Sequence, residues 1–323
     1  MNIAEIEAAA ARLSGRARRT PFLSSPFLDE IAGRPVHVKT ECLQHTGSFK
    51  FRGAWSAIST LPEGTRGVIA FSSGNHAQGV AMAARLRRLP AVIVMPADAP
   101  ALKRANTEAL GAEVIAYDRA NEDRDAIGEA LATERGLTLI RPFDDPLVIA
   151  GQGTCGLEIA EQAAEAEISS ATVLTCCGGG GLTSGIALAL EARAPTLRVR
   201  PVEPEGFDDV ARSLSAGRIL SNKAMSGSIC DAIITPSPGR LTFPIMHRLC
   251  GPGLTVSDED CLRAMYLAFL RLKIVLEPGG AAALAAALFH GDSLDDGPVI
   301  CTASGGNVDP GVFQSALERY GKT

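Results

Sequence analysis

Three short apolar runs decide the fold: Val68-Ile69-Ala70-Phe71, Ala91-Val92-Ile93-Val94-Met95 and Glu113-Val114-Ile115-Ala116-Tyr117. Stretches with helical spacing, 75–86 and 101–110, separate them, and a helical stretch at 124–135 leads to a fourth run at 137–140. Runs this short and this β-branched read as strands buried on both faces. The helices between them are then the crossovers of a parallel sheet. Residues 66–143 are expected to form one compact lobe.

The same alternation continues outward. Upstream, 3–14 reads as a helix and 37–41 as a strand, with a further helix running to about 58 before the turn at Pro62 and Gly64. Downstream, Arg141-Pro142-Phe143-Asp144-Asp145-Pro146 crosses back, and 148–163 is a glycine-punctuated helix. Strands follow at 171–176, 197–202 and 298–301, with helices at 185–191, 258–271 and 280–289. Residues 206–240, rich in Gly, Ser and Pro, are expected to be irregular and to surround the site. Because 1–65 holds too little sheet to close a core, the second lobe combines 1–65 with 144–323. The fold class is α/β, with two open, twisted, mostly parallel sheets flanked by helices.

Composition narrows the function. The 323 residues bury a substantial core, aromatics are few, and a net charge of −5 is spread in mixed signs along the chain. No basic tract points to nucleic acid. The eight cysteines include no CxxC pair, so they read as buried free thiols of a reducing compartment, not as a disulfide framework or zinc site. The amino terminus has no apolar leader and no stretch reaches a membrane span, so a cytoplasmic protein is expected.

Four stretches carry chemistry. Thr46-Gly47-Ser48-Phe49-Lys50-Phe51-Arg52-Gly53-Ala54 places Lys50 at a helix start between two phenylalanines. A lysine that forms an imine must lose its proton near neutral pH, through burial or a neighbouring cation, and Arg52 is a candidate cation. The stretch also fits a helix-start lysine beside two core rings. Gly178, Gly179, Gly180 and Gly181 follow a strand and open a helix, so their N–H groups make an anion cradle, most often for phosphate. Neither a dinucleotide fingerprint nor a Walker loop fits the spacing. Ser72-Ser73-Gly74-Asn75-His76 holds the matching place in the first lobe and suits a substrate carboxylate, although a capping box explains one serine. His76 is open as an acid, a base or a structural residue. Ser304-Gly305-Gly306-Asn307 follows the last strand, where open sheets place ligands.

An imine-forming lysine, a phosphate cradle and a carboxylate cradle together suit pyridoxal phosphate. With Val148-Ile149-Ala150-Gly151-Gln152-Gly153-Thr154, these motifs in this order resemble fold-type II pyridoxal-phosphate enzymes over essentially the whole chain. The branch is that of serine/threonine dehydratases and serine racemases. The resemblance implies that the cofactor sits in the cleft between lobes with Lys50 as its imine partner and Phe49 against the ring. It places Asn75 on the 3-hydroxyl, Gly178 to Gly181 on the phosphate, Ser304 at the pyridine nitrogen and Glu277 nearby. Ser72, Ser73, Gly74, Asn75 and His76 would hold the substrate, with Ser73 on the face opposite Lys50. A divalent cation, Mg²⁺ or Ca²⁺, is implied at Glu203, Asp209 and the Phe207 carbonyl. By residue type alone that stretch is equally a solvated acidic loop. A homodimer is also implied. Ala232 stands where relatives commonly carry glycine, Gly279-Gly280 replaces a more usual small-residue pair, and with nothing after residue 323 feedback control is not expected.

The implied activity is α,β-elimination from a 3-hydroxy amino acid, giving a 2-oxo acid and ammonia, with Lys50 removing the α-proton. L-Threonine and L-serine lead, 3-hydroxyaspartate follows, and racemisation through Ser73 shares the first step. A second substrate carboxylate needs a cation or several N–H donors, for which Arg141, His45 and Arg240 are candidates. Arg141 equally fits a surface or interlobe ion pair. The rivals are a β-replacing synthase and a binding protein that uses the glycine turn without covalent chemistry.

Overall fold

The computed structural model describes residues 1–72, 74–99, 101–118, 121–224 and 226–321. The chain opens with α1 (Ile3–Leu13), β1 (Phe22–Ser24), α2 (Pro26–Ala32), β2 (Val36–Lys39) and α3 (Lys50–Ile58). Next come β3 (Val68–Phe71), α4 (Asn75–Arg87), β4 (Ala91–Pro96), α5 (Ala101–Ala109), β5 (Glu113–Tyr117), α6 (Arg124–Arg135) and β6 (Thr138–Leu139). The remainder begins with α7 (Pro146–Glu165), β7 (Ala171–Cys176), α8 (Gly181–Arg193), β8 (Leu197–Pro204) and α9 (Asp209–Ala216). It ends with α10 (Thr242–Leu249), β9 (Leu254–Val256), α11 (Asp258–Leu267), α12 (Pro278–Phe289), β10 (Val299–Thr302) and α13 (Pro310–Tyr320).

Two sheets result. One runs β5-β4-β3-β6, all parallel, and the other β1-β2-β10-β7-β8-β9, parallel except for β1 at its edge. In the first sheet β4 is buried at every position, as its unbroken apolar run requires. Ala-rich α12 is buried along nearly its whole length against β7 and β10, because small side chains let a helix lie close to a sheet.

α3 lies between the sheets. Phe51, Ala54 and Ile58 join the core that contains Val68, Ala70 and Ile93 of the four-stranded sheet. On its other side α3 meets α7 at very short range: a Cβ added to Gly151 would stand 2.5 Å from the Arg52 carbonyl oxygen. α4 also approaches closely, since a Cβ on Gly79 would lie 3.1 Å from the Lys50 carbonyl carbon.

Three local expectations change. Within 206–240, residues Asp209–Ala216 are helical, because the carboxylate of Glu203, arriving from β8, takes the N–H groups of Val210 and Ala211 at 2.9 and 2.8 Å. A cap supplied from a neighbouring strand leaves no local sequence signature. β2 stops at Lys39, because Glu41 turns inward to meet Arg52. α11 gives way after Leu267 to a wider π turn that ends at Lys273, which has a left-handed φ of 59°.

Candidate active site

The carboxyl ends of the strands bring the chemistry-bearing stretches together. The segment before Lys50 is fastened along the exit of β10: Cys42 N–H donates to Ala303 O, Phe49 N–H to Ser304 O and Gly306 N–H to Gly47 O, with a bridge between Ser48 and Gly305. Lys50 therefore starts α3 at the cleft edge of the larger sheet. Its amine donates to the Pro142 carbonyl at 2.9 Å and lies 5.1 Å from the centre of the Phe49 ring. Burial lowers its pKa to about 8, against a smaller opposing pull from Glu277.

The expected cationic help from Arg52 is absent. Its guanidinium is fully engaged by Glu41, at 2.8 Å through both Nε and Nη2, and by Glu158 at 2.7 and 2.8 Å. Lys39 adds a second cation to this buried cluster through Glu158 and Gln162. The two cations and two carboxylates balance. Desolvation is therefore what lowers the Lys50 pKa, against the pull of Glu277.

The glycine turn joins β7 to α8. Gly180 has φ +91°, and a Cβ on Gly179 would stand 2.4 Å from the Phe143 ring. Only glycine fits between that ring and the Thr242 hydroxyl, which donates to the Gly179 carbonyl at 2.6 Å. The N–H groups of Gly178, Gly179 and Gly180 donate to no described residue. Unclaimed donors at a helix start fit a phosphate.

The opposite wall comes from Asn75, Glu277 and Asn307. The Asn75 amide donates to Glu277 Oε1 at 2.5 Å and accepts from the Asn307 amide at 2.7 Å, which also donates to Thr46 O. Glu277 is 2% exposed, and its Oε2 has no partner. Burial raises its pKa to about 7, against the pull of Lys103 and the Asn75 amide. A buried carboxylate with one idle oxygen fits a cofactor ring or substrate amine more readily than a purely structural role.

His76 resolves towards its structural reading. Its Nε2 lies 2.9 Å from the Ile140 carbonyl, which only accepts, and burial with the nearby Lys50 charge lowers its pKa to about 3. Gly74 N–H donates to the Ser72 hydroxyl at 3.2 Å, so the turn is self-braced. Ser73 lies outside the described residues. Ser304 is buried, held through its backbone to Gly280 and Phe49.

The acidic stretch is more buried than a solvated loop. Glu203 and Asp209 are both 0% exposed, and Asp209 Oδ2 has no partner, while its Oδ1 accepts from Asn222 at 2.6 Å. Burial raises the Asp209 pKa to about 7 and lifts Glu203 well above the usual carboxylate range, with Asp209 adding to the effect. Among the described residues no group of three or more His, Cys, Asp or Glu side chains is arranged to hold a metal ion. All eight cysteines are free, and only Cys250 is more than marginally accessible. No helix among the described residues is long and apolar enough to cross a membrane.

Beside the 72–76 turn lies a cavity of about 220 Å³, lined by Gln78, Lys103, Asn106, Asp231, Glu277 and Asn307. Lys103 is missing from the sequence reading, because on α5 it looks like any lysine of an amphipathic helix. Of the cations foreseen, Arg141 and Arg240 are exposed and His45 packs edge-on against Phe51. None of the three lines the cavity.

Residues 13–305 match the family model described as pyridoxal-phosphate dependent enzyme. The chain belongs to that family. Similarity extends well beyond the motifs. Against the L-threo-3-hydroxyaspartate ammonia-lyase of Pseudomonas sp the chain is 45% identical over 96% of both lengths. Against the enzyme of the same name from Saccharomyces cerevisiae it is 42% identical, over 93% of this chain and 91% of that one. The solved structure of a T.th. threonine deaminase superposes with a TM-score of 0.91 at 47% identity, covering 96% of this chain and 99% of that one. The fold is therefore that of fold-type II, as the motif order implied.

Proposed function

We propose that this pyridoxal-phosphate-dependent carbon–nitrogen lyase acts on L-threo-3-hydroxyaspartate, releasing ammonia and leaving oxaloacetate. Its lyase character rests on one observation above all, a desolvated lysine amine held by Pro142 O, next in sequence to the Phe143 ring that packs on a glycine turn with unclaimed donors. The choice of substrate draws on the two ammonia-lyases that match over nearly their whole lengths, and it reverses the order reached from sequence. Dehydration of L-threonine and L-serine is the second reading, favoured by the likeness to the threonine deaminase.

The residues present fit the cofactor. Gly178 to Gly181 would take its phosphate, Phe49 would pack on its ring, Asn75 and Glu277 would face its substituents, and Ser304 would meet its nitrogen. When bound, the cofactor supplies an electron-withdrawing ring conjugated to the substrate nitrogen, which stabilises negative charge at Cα. The chain supplies the rest. At pH 7 a lysine with a pKa of about 8 is neutral in about a tenth of molecules, against fewer than about one in a thousand at the ordinary value. Lys50 can thus take the Cα proton, and its contact with Pro142 O holds it at the cleft. The 72–76 turn would bind the α-carboxylate, with His76 as a neutral brace. Phe49, beside the amine, would help keep water from it.

The same reading treats 66–143 as a lobe that closes over substrate and 1–65 with 144–323 as the cofactor-holding lobe. It places Mg²⁺ or Ca²⁺ at Glu203, Asp209 and the Phe207 carbonyl, supported by two mutually repelling buried carboxylates and an idle Asp209 oxygen. A homodimer is supported by the exposed Phe27, Ile31, Phe269 and Val275, and a cytoplasmic setting by eight free thiols. The test is ammonia release by the reconstituted enzyme from L-threo-3-hydroxyaspartate, L-threonine and L-serine, with D-serine assayed alongside. The highest kcat/KM is expected for hydroxyaspartate. A higher value for threonine or serine overturns that choice, and no ammonia from any of them overturns the lyase reading.

A further inference from the structure

Lys103 and Asp231 pair at 2.8 Å across the cleft, one from α5 beside the smaller sheet and the other from the loop before α10. Their exposures differ: the Lys103 side chain is 10% exposed and that of Asp231 54%. A carboxylate already half in water can swing out at little cost, whereas a nearly buried ammonium must keep an anion. The Lys103 amine stands 3.8 Å from where a Cβ on Gly74 would be, so it borders the turn that suits the α-carboxylate. The Gln78 side chain lines the same cavity, is 3% exposed, and its amide nitrogen has no partner. Two donors, one charged and one idle, therefore line one cavity, the charged one bordering the turn. Among the described residues Asp231 is the only hydrogen-bond partner of the Lys103 amine, which also pulls on the buried Glu277 carboxylate at the same cavity, and the Gln78 amide has none.

We propose that Lys103 and the Gln78 amide form the subsite for the second carboxylate of a C4 dicarboxylic amino acid, and that Asp231 fills it when the substrate lacks one. The proposal rests on the lyase reading above and names its specificity element. A dicarboxylate substrate exchanges Asp231 for its own carboxylate and leaves the charge at Lys103 balanced. Serine or threonine leaves the Lys103–Asp231 pair closed and the Gln78 amide idle.

The measurement is the ratio of kcat/KM for L-threo-3-hydroxyaspartate to that for L-serine in the holoenzyme. Lys103→Met is expected to lower this ratio about 12- to 150-fold, the range for losing a charged hydrogen bond. Lys103→Arg should retain most of it, and Asp231→Asn, which removes the competing anion, should raise it. A merely structural lysine would lower both kcat/KM values alike, and an unmoved ratio in Lys103→Met overturns the subsite. Binding of succinate, an unreactive C4 dicarboxylate, is read separately as a shift in Tm. The shift is expected in the wild type and absent in Lys103→Met. If hydroxyaspartate is not turned over but that succinate shift depends on Lys103, the substrate choice fails and the subsite stands. No shift in the wild type, or an equal one in Lys103→Met, overturns the subsite whatever the substrate proves to be.

Discussion

Replacing Lys50 with methionine in the ligand-free protein isolates the energetic cost of its position. Burial sets the native pKa at about 8, against 10.5 for an ordinary lysine. Below pH 8 the amine is protonated in both folded and unfolded chains, so the whole penalty of burying the charge is present. Between the two values the unfolded chain holds the extra proton, and stability rises with pH. The penalty is about 3 kcal/mol, of which the wild type regains about 2 kcal/mol between pH 7 and about pH 9.5. Methionine removes the penalty and also the hydrogen bond to Pro142 O, worth about 1 kcal/mol. Lys50→Met is therefore expected to be more stable than wild type by about 2 kcal/mol at pH 7, with the advantage shrinking to near zero by about pH 9.5. Urea unfolding of both proteins across that range measures the difference directly, since titrations not coupled to Lys50 cancel. A variant less stable than wild type at pH 7, or a difference that ignores pH, would refute desolvation as the cause of the shift.

Further expectations follow from neighbouring contacts. Gly179→Ala drives a methyl into the Phe143 ring and should cost about 1–3 kcal/mol of stability while weakening pyridoxal phosphate uptake, and Phe143→Ala should restore part of both in calorimetry and cofactor titration. Glu41→Gln leaves Arg52 buried with only part of its neutralising charge, and urea unfolding should show a loss of about 3 kcal/mol or more. Added Mg²⁺ or Ca²⁺ should raise the Tm of the wild type near neutral pH and leave Asp209→Asn unmoved, whereas equal shifts in both would remove the cation site.

Much of this was legible because it is local. The runs at 68–71 and 113–117 become strands with the limits read from sequence, since buried β-branched runs bounded by turn residues admit few alternatives. The glycine turn was equally plain, as four consecutive glycines after a strand serve little else. What sequence missed depends on partners far along the chain. α9 is capped by Glu203 from the preceding strand, Arg52 is neutralised by Glu158 over a hundred residues away, and Lys103 acquires its meaning from Asp231 across the cleft. Asn307 was visible in its motif, but not its role in holding Asn75. Each is a charge or amide whose significance comes from what surrounds it in space.

The grip on α3 restricts how the two sheets can move. The helix that carries the reactive amine is held almost backbone to backbone, by α7 on one side and α4 on the other. Sliding one sheet past the other would break those contacts at both surfaces. Rotation about the long axis of α3 would keep them. In that motion Lys50, at the start of α3, would stay next to the axle, whereas Lys103, on α5, would be carried round it. Such a motion would separate two demands: the proposed base would stay in place while the proposed substrate-sensing groups travelled.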